Sequence, residues 1–327
     1  MSADHPLLRL PEVPMEKILD YCSYRDIQRL RSTCHHLQSS LDPSMTTISI
    51  TTYPGELELR LNSKNHRQET LIFHFKNIRN GCAAKMIVKR NNRRKRVKKF
   101  LEDVDYLDAL CADLRIFLSR QRGILEKIEL SQVEMELFEK LQHIFPSLPL
   151  KVHEIRLIAL SASQILSIFQ FFDANHLKTM MILTSNPSDN LDDAIFDTEQ
   201  WKSIKICEVT DFRIMDLKRI SHFENFNGMA KSVLVEDVKY LKKTFLRSAN
   251  FKRCKLMYDH ISDDWSTTDP LISQNRHGLT LKRWYFRCLH NEEKVLTLEW
   301  NSVKCITFEV VKISEIPSSA VLREIIC

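Results

Sequence analysis

The chain is poor in glycine, with five residues in 327, at positions 55, 81, 123, 228 and 278 and never closer than 26 apart. An average chain would hold about 7%. Glycine-rich phosphate cradles need several glycines within about eight residues, so dinucleotide and nucleoside-triphosphate loops are excluded. The Gly-x-Ser-x-Gly nucleophile elbow is excluded with them. Closely spaced metal ligands are missing too. The nine cysteines are scattered, the nearest two being Cys22 and Cys34, and neither a Cys-x-x-Cys nor a His-x-x-x-His pair occurs. No metal or cofactor is expected. Met1 to Pro14 holds no apolar signal core, and no run reaches the roughly 18 apolar residues of a membrane span. Reduced thiols, no membrane association and a cytoplasmic or nuclear location are the expectation.

What is present is a globular balance, 43% apolar and 28% charged, over a length that suits about two domains. The formal charge of +6 is uneven, because nine basic residues and no acid lie between Lys85 and Lys99, leaving −3 for the remainder. Arg93, Arg94, Lys95 and Arg96 follow Asn91-Asn92, with apolar Met86-Ile87-Val88 before them and Val97 after, which is the pattern of a solvated hairpin tip. A nuclear-import patch or a phosphate contact is the functional alternative for the run 85–99. Aromatic residues for base stacking are not interleaved in it, so nucleic acid is not the expected partner.

The first forty residues are helical in pattern. Pro11 and Pro14 suit a helix start, where no amide donor is needed. Ser23 and Asp26 form a capping box for a second stretch. Its apolar residues Ile27, Leu30, Cys34, Leu37 and Leu41 recur at steps of three and four. So short a helical segment buries too little surface to stand alone, and its stripe must meet a partner or the rest of the chain.

Leu10-Pro11, Val13-Pro14, Ile18-Leu19, Asp26-Ile27, Leu30-Arg31, Thr33-Cys34 and Leu37 together resemble an F-box over residues 8 to 42. The resemblance implies docking to a Skp-type adaptor and through it to a cullin. Leu10, Pro11, Pro14, Ile18, Leu19, Ile27, Leu30, Cys34 and Leu37 are the positions expected to make that contact.

Beyond Pro43, a β-prone stretch at 46–51, alternation at Leu57, Leu59 and Leu61, and apolar runs at 71–75 and 86–88 predict an antiparallel sheet of three to five strands. Val104 to Leu118 has helical spacing. An apolar-x-x-apolar-x-apolar shape then recurs at Leu125, Val152, Leu177, Trp201, Ala230 and Phe251, interleaved with amphipathic stretches. Helix starts are expected at the capping boxes Ser131-x-x-Glu134 and Ser161-x-x-Gln164, and a further helix around Phe212/Met215. After Thr280 three strand-like runs predict a meander closing the array. The fold class is α+β: a helical F-box at 1–42, a small antiparallel β region at 43–103, and at 104–327 an irregular leucine-rich-repeat-like α/β solenoid closed by the meander.

The order of these features, with Asn80-Gly81-Cys82, Phe100-Leu101-Glu102-Asp103 and Phe251-Lys252-Arg253-Cys254, is similar to the FTH-domain proteins of the nematode-expanded F-box A family. That resemblance implies a substrate receptor of an SCF-type (Skp-cullin-F-box) ubiquitin ligase, and it brings no catalytic residues. Residues beside the core positions of the repeat strands should face a target protein: Glu129, Arg156, Met181, Lys205, Leu234 and Lys255. The expectation is a non-enzymatic adaptor, the alternative a protein-interaction scaffold outside any ligase or a nucleic-acid-associated protein using the run 85–99.

Overall fold

The structure, a computed structural model, describes residues 45–63, 70–90, 93–121, 123–145, 149–184, 190–261, 272–276, 279–318 and 322. The nine positions expected to meet the adaptor lie outside the described residues. What is described is mixed α/β and divides into two compact units, one reaching residue 160 and including 167–177, the other formed by 161–166 and 178 onward.

The first unit begins with five antiparallel strands, β1 (Met45–Tyr53), β2 (Glu56–Ser63), β3 (Thr70–Ile78), β4 (Gly81–Arg90) and β5 (Arg93–Glu102). Then come helix α1 (Tyr106–Arg120), strand β6 (Leu125–Ser131), helix α2 (Met135–Gln142) and strand β7 (Val152–Ile158). The strand order is β7-β6-β1-β2-β3-β4-β5, with β6 parallel to both β1 and β7. The alternation of β2 sets its two faces. Leu57, Leu59 and Leu61 are fully buried, while Glu58 and Arg60 point the other way and pair at 2.7 Å. Asn80-Gly81 turns β3 into β4, where Gly81 takes φ +135° and a side chain would collide with the Leu101 carbonyl.

Helix α1 starts at Asp105, whose carboxylate accepts from the Leu107 and Asp108 amides at 2.8 and 3.3 Å. Leu107, Leu110, Cys111, Leu114 and Leu118 form its buried stripe. The helix packs on β2, β3 and β4, with Phe117 tilted against Phe73 at 5.7 Å. Each such leucine contributes about 1.5–3 kcal/mol of transfer free energy.

Helix α3 (Ala162–Phe169) opens with the expected capping box, Ser161 N–H donating to Gln164 Oε1 at 2.9 Å and Gln164 N–H to Ser161 Oγ at 3.3 Å. The second unit continues with β8 (Thr179–Leu183), α4 (Asp193–Asp197), α5 (Glu199–Ser203), β9 (Ile206–Ile214), β10 (Asn225–Val233), α6 (Val235–Arg247) and β11 (Arg253–Ile261). Strands β12 (Ile272–Arg276), β13 (Leu279–Cys288), β14 (Asn291–Asn301) and β15 (Cys305–Lys312) complete it. Here β8, β9, β10 and β11 are parallel, and β15 adds antiparallel to β11 as the end of the expected meander.

A backbone ladder marks where each parallel strand begins. The Lys178 carbonyl accepts from the amides of Lys205 and Ile206 at 2.9 and 3.1 Å, Lys205 from Glu224 and Asn225 at 2.8 and 3.1 Å, and Glu224 from Lys252 and Arg253 at 2.8 and 3.1 Å. The residue before each rung, Leu177, Ile204, Phe223 or Phe251, is buried. Aromatic packing fills the helix side of the sheet: Phe245 stacks on Phe251 at 3.8 Å and meets Phe308 edge-on at 5.3 Å.

Two repeat frames differ from the sequence expectation. Trp201 belongs to helix α5 and Ile206 is exposed at the start of β9, so the core frame there is Ile204/Cys207/Val209. Likewise Val235 opens helix α6, and the strand frame is Phe223/Phe226/Gly228 rather than Ala230/Val233/Val235. Around Phe212/Met215 there is strand, not helix, followed by a 3-10 turn at Leu217–Ile220, because Phe212 and Ile214 are the buried positions and Met215 is exposed. The box at Ser131 is also absent. Ser131 ends β6, Gln132 takes φ 54°, and Glu134 precedes α2 without a side-chain cap.

Candidate interaction surfaces

Each sheet has one face turned away from the helices, and most of the expected target-facing residues lie there. In the first unit Glu129 of β6 stands opposite Arg156 of β7, and Lys127 opposite Glu154. Within each strand the charges pair again, Lys127 with Glu129 at 3.3 Å and Arg156 with Glu154 at 2.5 Å. Opposite charges directly across a ladder stabilise it, and the Ser49 hydroxyl, 3.4 Å from Glu129, joins this checkerboard.

In the second unit Met181 of β8 and Lys255 of β11 lie on the corresponding face, but Lys205 and Leu234 do not. Lys205 is a rung of the ladder before β9, where its ammonium reaches Glu224 at 3.5 Å. Leu234 is the residue before α6, its amide donating to Asp237 at 3.1 Å, and its side chain is exposed. The register instead brings Glu208 and Asn227 into the row Met181–Glu208–Asn227–Lys255–Thr307. Sequence reasoning missed both because the frames at 201 and 230 were displaced. Their signal is the ladder spacing, a buried apolar residue followed by Lys or Glu.

Asn227 Nδ2 donates to Glu208 Oε1 at 3.2 Å, while Asn227 Oδ1 is buried and without a partner among the described residues. A buried amide oxygen left unpaired costs about 1–3 kcal/mol. Further along, Arg213 of β9 reaches across to Asp259 of β11, Nε to Oδ2 at 2.5 Å and Nη2 to Oδ1 at 3.4 Å. The guanidinium holds the Asp259 carboxyl below its ordinary pKa.

The basic run forms the hairpin of β4 and β5. Arg93 pairs by backbone with Arg90, and Arg94, Lys95 and Arg96 are exposed along β5, the last strand in the order of this sheet. All nine basic residues of the run therefore lie within these two strands.

Three thiols are withdrawn from solvent. Burial raises the thiols of Cys207 and Cys254, and that of Cys111 to about 11. His222 is pushed the other way, its cationic form disfavoured by burial, with Nε2 3.0 Å from the Trp201 carbonyl. Among the described residues no three His, Cys, Asp or Glu side chains gather as metal ligands do.

Comparison with known families gives two matches. The model described as the F-box domain matches residues 7–45, and the one described as the FTH domain matches residues 135–269. The first contains all nine positions expected at the adaptor contact, and the second runs from α2 past the end of β11. No curated protein and no solved structure matches the chain.

Proposed function

We propose that this chain, an F-box protein with a C-terminal FTH domain, is the substrate-recognition adaptor of an SCF-type ubiquitin ligase. The observation that carries the reading is the F-box match at 7–45, which implies binding to a Skp-type adaptor and, through it, a cullin. Leu10, Pro11, Pro14, Ile18, Leu19, Ile27, Leu30, Cys34 and Leu37 make that contact. Five or six buried aliphatic side chains, at about 1.5–3 kcal/mol each, are of the size needed to offset the cost of association, about 4–15 kcal/mol. The chain performs no catalysis itself. Its contribution is to raise the effective concentration of a target lysine beside the charged conjugating enzyme.

The residues from 104 to 327 act as the target-binding domain, an irregular leucine-rich-like solenoid whose recurrent ladder at the strand starts supports that description. The target lies on the polar sheet face, against Met181, Glu208, Asn227 and Lys255. The alignment of these four residues in one register row across β8 to β11 supports this placement. Co-purification from cells that express the tagged chain, with mass identification of partners, tests the reading. Recovery of a Skp-type adaptor together with a protein lost on Glu208→Lys and Lys255→Glu is expected. Adaptor recovery with no protein sensitive to those changes would move the target elsewhere on the chain.

A further inference from the structure

The β4–β5 hairpin carries charge that the fold itself does not use. Strand register places Lys89 opposite Arg94, Ile87 opposite Arg96 and Lys85 opposite Lys98. Like charges directly across a ladder destabilise it, and here two such pairs share one face. Pleat alternation puts Lys85, Lys89, Arg94, Arg96 and Lys98 on the face away from α1, with Ile72 and Ile87 beneath. Among the described residues none of these five forms an ion pair. Of the acids on that face, Glu58 is held by Arg60 at 2.7 Å and Glu56 by Lys76 at 2.5 Å, with Lys85 adding a weaker attraction to Glu56, and Glu102 closes the row.

Phe100 is the next residue on the same face of β5, two places past Lys98, and it is 52% exposed. The sequence alone conceals this neighbour because it follows the basic run instead of interrupting it. The register supplies what spacing did not: a file of cations about 6.8 Å apart ending in an open aromatic ring. Basic residues on an edge strand also deter edge-to-edge association. That role accounts for neither Lys85 and Lys89 on the inner strand nor an exposed phenylalanine beside them.

From this face we infer that the hairpin binds single-stranded nucleic acid, the phosphates running along Arg94, Arg96 and Lys98 with Lys85 and Lys89 beside them, and a base stacked on Phe100. Regularly spaced cations match a linear polyanion, and a π-face stacks any base, so the surface reads backbone and ring without sequence preference. The inference is independent of the adaptor role.

Fluorescence anisotropy of the full-length protein with a labelled oligothymidylate or oligouridylate, longer than a site of about 16 nucleotides, tests it. The affinity should fall linearly on a log–log plot against salt, with a slope near −0.7 per phosphate, so about −3.5 for five contacts. Phe100→Ala should weaken binding about tenfold. Arg96→Gln with Lys98→Gln should weaken it far more than Lys95→Gln with Lys99→Gln, which removes equal charge from the opposite face. Wild-type protein measured against poly-glutamate and against phosphatidylserine vesicles forms an arm that needs no substitution. No binding at low salt, equal loss from the two pairs, or equal affinity for either competitor would overturn the inference.

Discussion

The ring of Phe226 lies over Gly228 so closely that a Cβ on the glycine would stand 2.6 Å from the phenylalanine Cζ. The same Cβ would be 3.2 Å from the Val209 carbonyl oxygen on the neighbouring strand. Phe226 is buried, so its ring has little room to retreat. Gly228→Ala should therefore destabilise the protein by about 1–3 kcal/mol, as overpacking does. Adding Phe226→Leu should recover part of that loss, a non-additive result visible in denaturant unfolding.

Backbone strain recurs at one place in the repeats. Gln132, Ala159 and Asp211 take φ of 54°, 58° and 70°, each two residues beyond the last core position of β6, β7 or of β9's first segment. A side chain in this left-handed region costs about 1–2 kcal/mol. Ala159→Gly should thus raise the stability by up to about 1 kcal/mol, because glycine's greater unfolded-state entropy offsets part of the relief. Thermal unfolding measures it.

The pair of Arg213 and Asp259 gives the second unit an acid-sensitive contact. The Asp259 pKa is lower in the folded protein than its unfolded value near 3.9, so its contribution is complete above that value and disappears as pH falls through the folded pKa. Asp259→Asn should cost under about 1 kcal/mol at neutral pH, the scale of a part-exposed ion pair. The gap between the two proteins should close on acidification below about pH 4. An unchanged gap at low pH would assign the loss to packing instead.

Thiol chemistry separates buried from accessible cysteines. Cys207 and Cys254 are enclosed and burial holds both thiols protonated, whereas Cys288 is half-buried. Alkylation at neutral pH followed by peptide mapping should leave Cys207 and Cys254 unmodified until denaturant is added, with Cys288 modified earlier.

Much of this fold is visible in the residues. The alternation of Leu57, Leu59 and Leu61, the stripe of α1 and the reciprocal bonds of Ser161 and Gln164 express local rules that hold without tertiary information. The repeat frames were less legible because two overlapping triplets near residue 204 satisfy the same apolar pattern. At Gly228 the third core position is occupied by a neighbouring ring in place of its own side chain, so a search for apolar residues passes over it. The two displacements hid Glu208 and Asn227 and put Lys205 and Leu234 on a face they do not occupy. Phe100 was hidden differently, as its relation to Lys98 is a matter of strand parity, which becomes definite only once β4 and β5 are in register.

Titration of the purified full-length chain with a purified Skp-type adaptor tests the proposed contact at residues 7–45 most directly. Saturable one-to-one binding is expected for the wild type. Leu19→Asp combined with Leu30→Asp should weaken it by at least a hundredfold, while the melting transition of the remaining residues stays in place. Binding that survives both substitutions unchanged, or that the wild type fails to show at all, would contradict the account.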